Sequence, residues 1–187
     1  MRLRPPLRMS VTRRGEKEQR LGEFIGEYLA ETNHARPPTG SAILLVARSV
    51  ESPVVRAIAA LAAEIVAAGY SVRLIVAQTD TDTMPRGWTL SDTVEVDCEV
   101  RWARKPRLIE AHEQLVLGPE TCWIGDSMRR EPAKCDAYET YIDDCAKTAA
   151  SAITSFERLW QTSEPLLARA PVMSHGGDEA VGLARRH

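Results

Sequence analysis

His112 stands at the head of a short apolar run, Leu115-Val116-Leu117, and Gly125-Asp126-Ser127 closes a second, Cys122-Trp123-Ile124. Gly118-Pro119 between the runs punctuates the pattern, which makes the whole stretch a strand–turn–strand unit. With an ordinary pKa of about 6.5, imidazole is largely neutral at pH 7 and can attack or accept a proton. A Gly/Ser turn offers a backbone amide and a hydroxyl to the oxygens of a small anion. A histidine entering one strand and such a turn leaving its neighbour converge on one anion, or they form an ordinary hairpin. The spacing leaves both open. Ser127 has no adjacent His–Asp pair and reads as a turn residue rather than a nucleophile. Arg101, Arg104, Lys105 and Arg107 cluster just upstream of His112, and taken alone they read as a solvated basic loop.

Other chemistries find less support. Four cysteines, at 98, 122, 135 and 145, include no C-x-x-C pair and no histidine at zinc spacing, so reduced thiols without metal or other cofactor are expected. His34 and His175 fall in a linker and a tail. At 44% hydrophobic and 27% charged, the 187 residues are globular in composition and suit one domain with tails. No apolar run reaches the roughly 18–20 residues of a membrane span, and no apolar segment follows the basic N-terminus, so a cytoplasmic protein is expected. The net charge of −2 is uneven: residues 1–20 hold seven Arg/Lys against Glu16 and Glu18, leaving the remainder at −7. A basic arm on an acidic body predicts at most weak, salt-sensitive contact with nucleic acid.

The positioning elements follow from periodicity. Residues 1–15 mix Arg, Pro and Ser without pattern and are expected to be a disordered basic arm. Leu21, Phe24, Ile25, Tyr28 and Leu29 form one face of a helix within residues 16–40, which end in a linker around Pro37-Pro38. Ile43–Ala47 and Val72–Ala77 read as strands covered on both faces. Between them Ser52 and Pro53 open a helix that Gly69 closes, a βαβ unit with parallel strands. Val94 to Trp102 alternates strictly and predicts a strand with one wet face. Tyr138–Asp143 suggests a further strand, and Asp143 or Asp144 caps a helix whose inner face carries Ala149, Ile153, Phe156 and Trp160. Residues 167–187 are expected to be a flexible tail.

The order strand–helix–strand, then His112 before a hairpin ending Trp123-Ile124-Gly125, then Ser155-Phe156-Glu157-Arg158-Leu159-Trp160, resembles the phospholipase D superfamily over residues 41–166. The resemblance implies a single α/β domain, a mixed β-sheet sandwiched between helices, here with an extra N-terminal helix. It implies His112 as the nucleophile that would form a phosphohistidine, and Glu139 as a carboxylate orienting it. Gln114, Gly125, Ser127 and Arg107 would contact a phosphate-containing ligand. It further implies a homodimer, because one motif per chain leaves each histidine needing a partner. The family pattern His-x-Lys-x4-Asp is broken here: Gln114 fills the lysine position, Pro119 the aspartate position, and Asp126 intrudes in the Gly-Ser turn. Losing such an electrostatic group costs on the order of 10²–10³ in rate. The expectation is a degenerate, non-catalytic or weakly active binding or assembly module, with an active phosphodiesterase and an arm-driven polyanion binder as the alternatives. Arg104, Arg107 and Arg129 are the candidates to restore the missing charge.

Overall fold

A computed structural model of the chain describes residues 7–11, 13–32, 40–77, 89–91, 93–103, 111–128 and 137–167. Its centre is an eight-stranded mixed sheet in the order β1-β7-β6-β5-β2-β3-β4-β8. These strands are β1 (Leu7–Val11), β2 (Ala42–Ala47), β3 (Ser71–Val76), β4 (Cys98–Trp102), β5 (His112–Val116), β6 (Cys122–Ser127), β7 (Ala137–Ile142) and β8 (Glu164–Leu167). β2, β3 and β4 run parallel, and every other pairing is antiparallel. The β2–β3 pair with the helices between them is the expected βαβ unit.

Alternation along the strands divides the core into two layers. Ile43, Leu45 and Ala47 of β2 pack with Leu115 and Leu117, Trp123, and the helices α1 (Arg14–Thr32) and α2 (Pro53–Ala60). Leu44 and Val46 turn to the other face, where Val116, Cys122 and Ile142 meet Ala149, Ala152, Phe156 and Trp160 of α4 (Ala146–Thr162). Both faces of the central strands are dry, which is why they read as unbroken apolar runs. The mixed sheet between helices is the architecture expected. The N-terminal helix is part of it, since Leu21 and Ile25 are fully buried and Leu29 nearly so. Each contributes about 1.5–3 kcal/mol by leaving water.

Several local expectations need correction. The arm is not wholly irregular, because Leu7–Val11 forms β1 against β7. The helix after Ser52 breaks at Leu61, leaving α2 and a short α3 (Ala62–Ala67). Ser52 sits at the N-cap position without a side-chain cap bond, and its Oγ accepts from the Ser49 amide at 3.2 Å instead. The strand expected from Val94 pairs only from Cys98. Neither Asp143 nor Asp144 caps α4: Asp144 has φ 57°, and Cys145 takes the N-cap position. Glu164–Leu167, which the sequence did not mark as a strand, forms β8 against β4. Residues 168–187, residues 78–88 and Cys135 lie outside the described residues.

Candidate functional site

His112 is the first residue of β5 and is exposed. Its Nδ1 lies 3.0 Å from the Gly125 carbonyl oxygen on β6. A carbonyl only accepts, so Nδ1 carries the proton in the neutral ring and Nε2 keeps its lone pair. That is the tautomer a nucleophile or base requires. Glu139 therefore does not hold the imidazole, as the resemblance had implied, because a backbone oxygen does.

The register of the hairpin decides which side chain stands opposite. Gln114 pairs with Ile124, but His112 pairs with Ser127. Two residues of β6, Gly125 and Asp126, thus stand against the single Glu113, a bulge that absorbs one extra residue. Without it Asp126 would face His112. The bulge brings Ser127 there and removes the most direct conflict between Asp126 and an anion. Gly125 is dictated by packing: a Cβ there would lie 2.2 Å from Cη2 of the Trp123 indole.

Gln114 is buried, and its Nε2 donates to the Ala152 carbonyl at 3.2 Å, bracing β5 against α4. It is a core contact without charge. Arg104, Arg107 and Arg129 lie outside the described residues, so the structure places none of them. A different arginine is present. Arg48, directly after β2, donates from Nη2 to the Ser127 carbonyl at 3.1 Å. Its own amide donates to Glu113 Oε1 at 3.2 Å.

Glu113 belongs to a buried ion cluster on the opposite face. Lys17 of α1 sits 3.1 Å from Glu113 Oε2 and 2.7 Å from Glu139 Oε1. Its ammonium also lies 5.0 Å from the centre of the Trp123 ring. Trp123 Nε1 and the Tyr141 hydroxyl both donate to Glu139 Oε2, at 3.3 and 3.0 Å. Burial pushes the Tyr141 hydroxyl well above its usual range, and the Glu139 charge pushes it further. For Lys17 burial pulls the pKa down, but the charges of Glu113 and Glu139 outweigh it and hold the pKa above its ordinary value. The cluster supports the exposed site through two links: Glu113 fixes the Arg48 backbone, and Trp123 lies over Gly125, whose carbonyl fixes His112.

His112, Gly125 and Ser127 are therefore brought together, while Gln114 and Glu139 serve the two core faces. Lys17, Glu113 and Arg48 escaped the sequence reading. Two of them had left a signal. Lys17 continues the i+4 stripe of Leu21, Ile25 and Leu29, and Glu113 alternates with Leu115 and Leu117 on an inward face. Among the described residues no group of three or more His, Cys, Asp or Glu side chains could hold a metal ion, and no helix is long and apolar enough to cross a membrane.

No family model matches the sequence, and no curated protein matches it. Solved structures do match. NucT from Helicobacter pylori superposes with TM-score 0.52 at 10% identity, covering 86% of this chain and 98% of that one. Nuc from Salmonella typhimurium, a phospholipase D family member, gives 0.50 at 14% identity over 88% of this chain and all of its own. TrmBL2, an archaeal chromatin protein with a novel mode of DNA binding, gives 0.51 at 13% identity over 86% of this chain. The match spans only 55% of the TrmBL2 chain. At such identities the likeness is one of fold: the chain has a phospholipase D-like fold.

Proposed function

We propose that this phospholipase D-like domain binds a phosphate-containing ligand without turning it over and serves as a binding or assembly module. Gln114 carries the reading. The position from which the resemblance would supply a cation beside His112 holds a neutral amide, committed to the Ala152 carbonyl and buried. Attack on phosphorus then lacks the charge that the resemblance would supply from that position. Glu139, the expected orienting carboxylate, is occupied with Lys17, Trp123 and Tyr141.

A second reading, a phosphodiesterase with His112 as nucleophile, is favoured by one observation: the Gly125 carbonyl 3.0 Å from Nδ1 keeps the proton of the neutral ring on that side and leaves the lone pair on Nε2. The test is hydrolysis of an activated phosphodiester, DNA and phospholipid by the wild type and by His112→Ala. The expected result is no difference between them. Turnover that disappears in His112→Ala would establish the enzyme instead.

Further parts of the proposal are a cytoplasmic setting and a homodimer. Two-fold pairing is the commonest oligomer, and light scattering should give twice the 20.7 kDa of one chain. A monomer at high concentration contradicts it. Nucleic acid is one source of the bound phosphate, in keeping with the DNA binding of TrmBL2. The −7 charge beyond residue 20 would keep such contact weak and sensitive to salt.

A further inference from the structure

We infer that Arg48 is the cation of an anion site whose other members are His112 and Ser127. This rests on the reading of the domain as a phosphate-binding module and assigns the residue that would make the module work.

The three residues are linked through Ser127, which pairs with His112 across β5 and β6 and whose carbonyl accepts from Arg48. β2 and β5 pair through Leu44 with Val116, Leu45 with Leu115, and Val46 with Gln114. β2 ends at Ala47 and Arg48 follows directly. The ladder itself stops at Val46 and Gln114, and its register carried two residues further points Arg48 towards His112, the first residue of β5. β5 and β6 then set His112 opposite Ser127, and residues opposite each other in such pairs have Cα atoms about 4.5–5.5 Å apart. The Arg48 side chain crosses this end of the sheet to reach the Ser127 carbonyl at 3.1 Å. Its guanidinium is thereby fixed beside the strand pair that carries His112. The backbone of Arg48 is anchored independently by Glu113, which Lys17 holds from the far face. A charge anchored at both ends is preorganised, and that lowers the entropy lost when a ligand is clamped.

The three residues also indicate the ligand. Five N–H donors in a planar fork let one guanidinium hold the Ser127 carbonyl and a ligand oxygen together. The Ser127 hydroxyl adds a donor, and the imidazole adds another once protonated. Donors arriving from three neighbouring strands suit a tetrahedral oxyanion, with phosphate the class expected. Inorganic phosphate and a phosphodiester share this chemistry. Asp126, on the bulge beside Ser127, supplies the opposing charge and should weaken binding.

The experiment follows the His112 ring resonances by NMR while the full chain is titrated at low salt, first with inorganic phosphate and then with dimethyl phosphate. Wild type, Arg48→Gln, Arg48→Lys and Asp126→Asn are compared. Wild type should saturate with at least one probe, and which one identifies a monoester-like or diester ligand. Arg48→Gln should weaken binding by about tenfold or more, because a charge-assisted hydrogen bond is lost. Arg48→Lys should retain part of the affinity, and Asp126→Asn should increase it. A folded Arg48→Gln that binds like wild type overturns the assignment while leaving the module reading intact. If wild type saturates with neither probe, the module reading itself fails. Should Arg48→Gln not fold, the other two variants decide: wild-type affinity in both overturns the inference.

Discussion

Lys17 Nζ and Glu139 Oε1, residues 122 positions apart in sequence, lie 2.7 Å from each other in the core, with Glu139 fully buried. The pair fastens α1 to β7, and Glu113 extends it to β5. Removing the ammonium would leave two carboxylates in an apolar layer. Lys17→Met is expected to cost about 3–5 kcal/mol in urea denaturation, as when one partner of a buried ion group is deleted. Replacing all three charges, Lys17→Met with Glu113→Gln and Glu139→Gln, should cost less than the single change.

The same cluster fixes a pH dependence. Lys17 is held above its ordinary 10.5 in the folded chain, so its stabilisation is complete below the unfolded value of about 10.4. It is lost as pH rises through the higher folded value. The stability difference between wild type and Lys17→Met should be flat from neutral pH to about 10 and shrink above it. A difference that instead grows with alkalinity would contradict the arrangement.

Gly125 leaves no room for a methyl group under Trp123. Gly125→Ala should destabilise by about 1–3 kcal/mol, the ordinary range for overpacking, and should disturb the carbonyl that holds His112. The cost should fall when Trp123→Leu is present in the same chain, a coupling that a double-mutant cycle of thermal denaturation measures. Additive effects would mean that the indole is not the obstacle.

The thiols differ in reactivity. Burial raises Cys98 to about 12, with Asp97 and Glu99 adding to it. Burial likewise raises Cys122 to about 11. Cys145 is lowered by the Thr148 hydroxyl 3.1 Å away and by backbone donors at the start of α4. Because the thiolate is the reacting form, iodoacetamide at pH 8 should label Cys145 well before the other two. Peptide mapping that finds Cys98 or Cys122 labelled first would refute this.

Much of the fold was legible because its signals are local. Gly118-Pro119 marks the turn of the β5–β6 hairpin, and the apolar runs of β2 and β3 mark strands covered on both faces. Pro53 and Gly69 bracket the helical segment between them, although nothing in the period of Val54, Ile58, Leu61 and Ile65 reveals the break at Leu61. β1 was not legible, since an Arg- and Pro-rich stretch becomes a strand only by pairing with β7. The site was half legible. His112 and Ser127 could be named, but the bulge that sets them face to face shows only in the pairing of β5 with β6. Arg48 at a strand end looks like any loop arginine until its partner on another strand is known.

The central claim, a phosphate site that binds without transferring phosphorus, is tested most directly by a covalent trap. Wild type and His112→Ala are incubated with an excess of an activated phosphodiester, quenched under conditions that preserve phosphohistidine, and weighed as intact chains. The account predicts the unmodified mass for both. A phosphoryl adduct on wild type that maps to His112 and is absent from His112→Ala would contradict it and make this chain an enzyme.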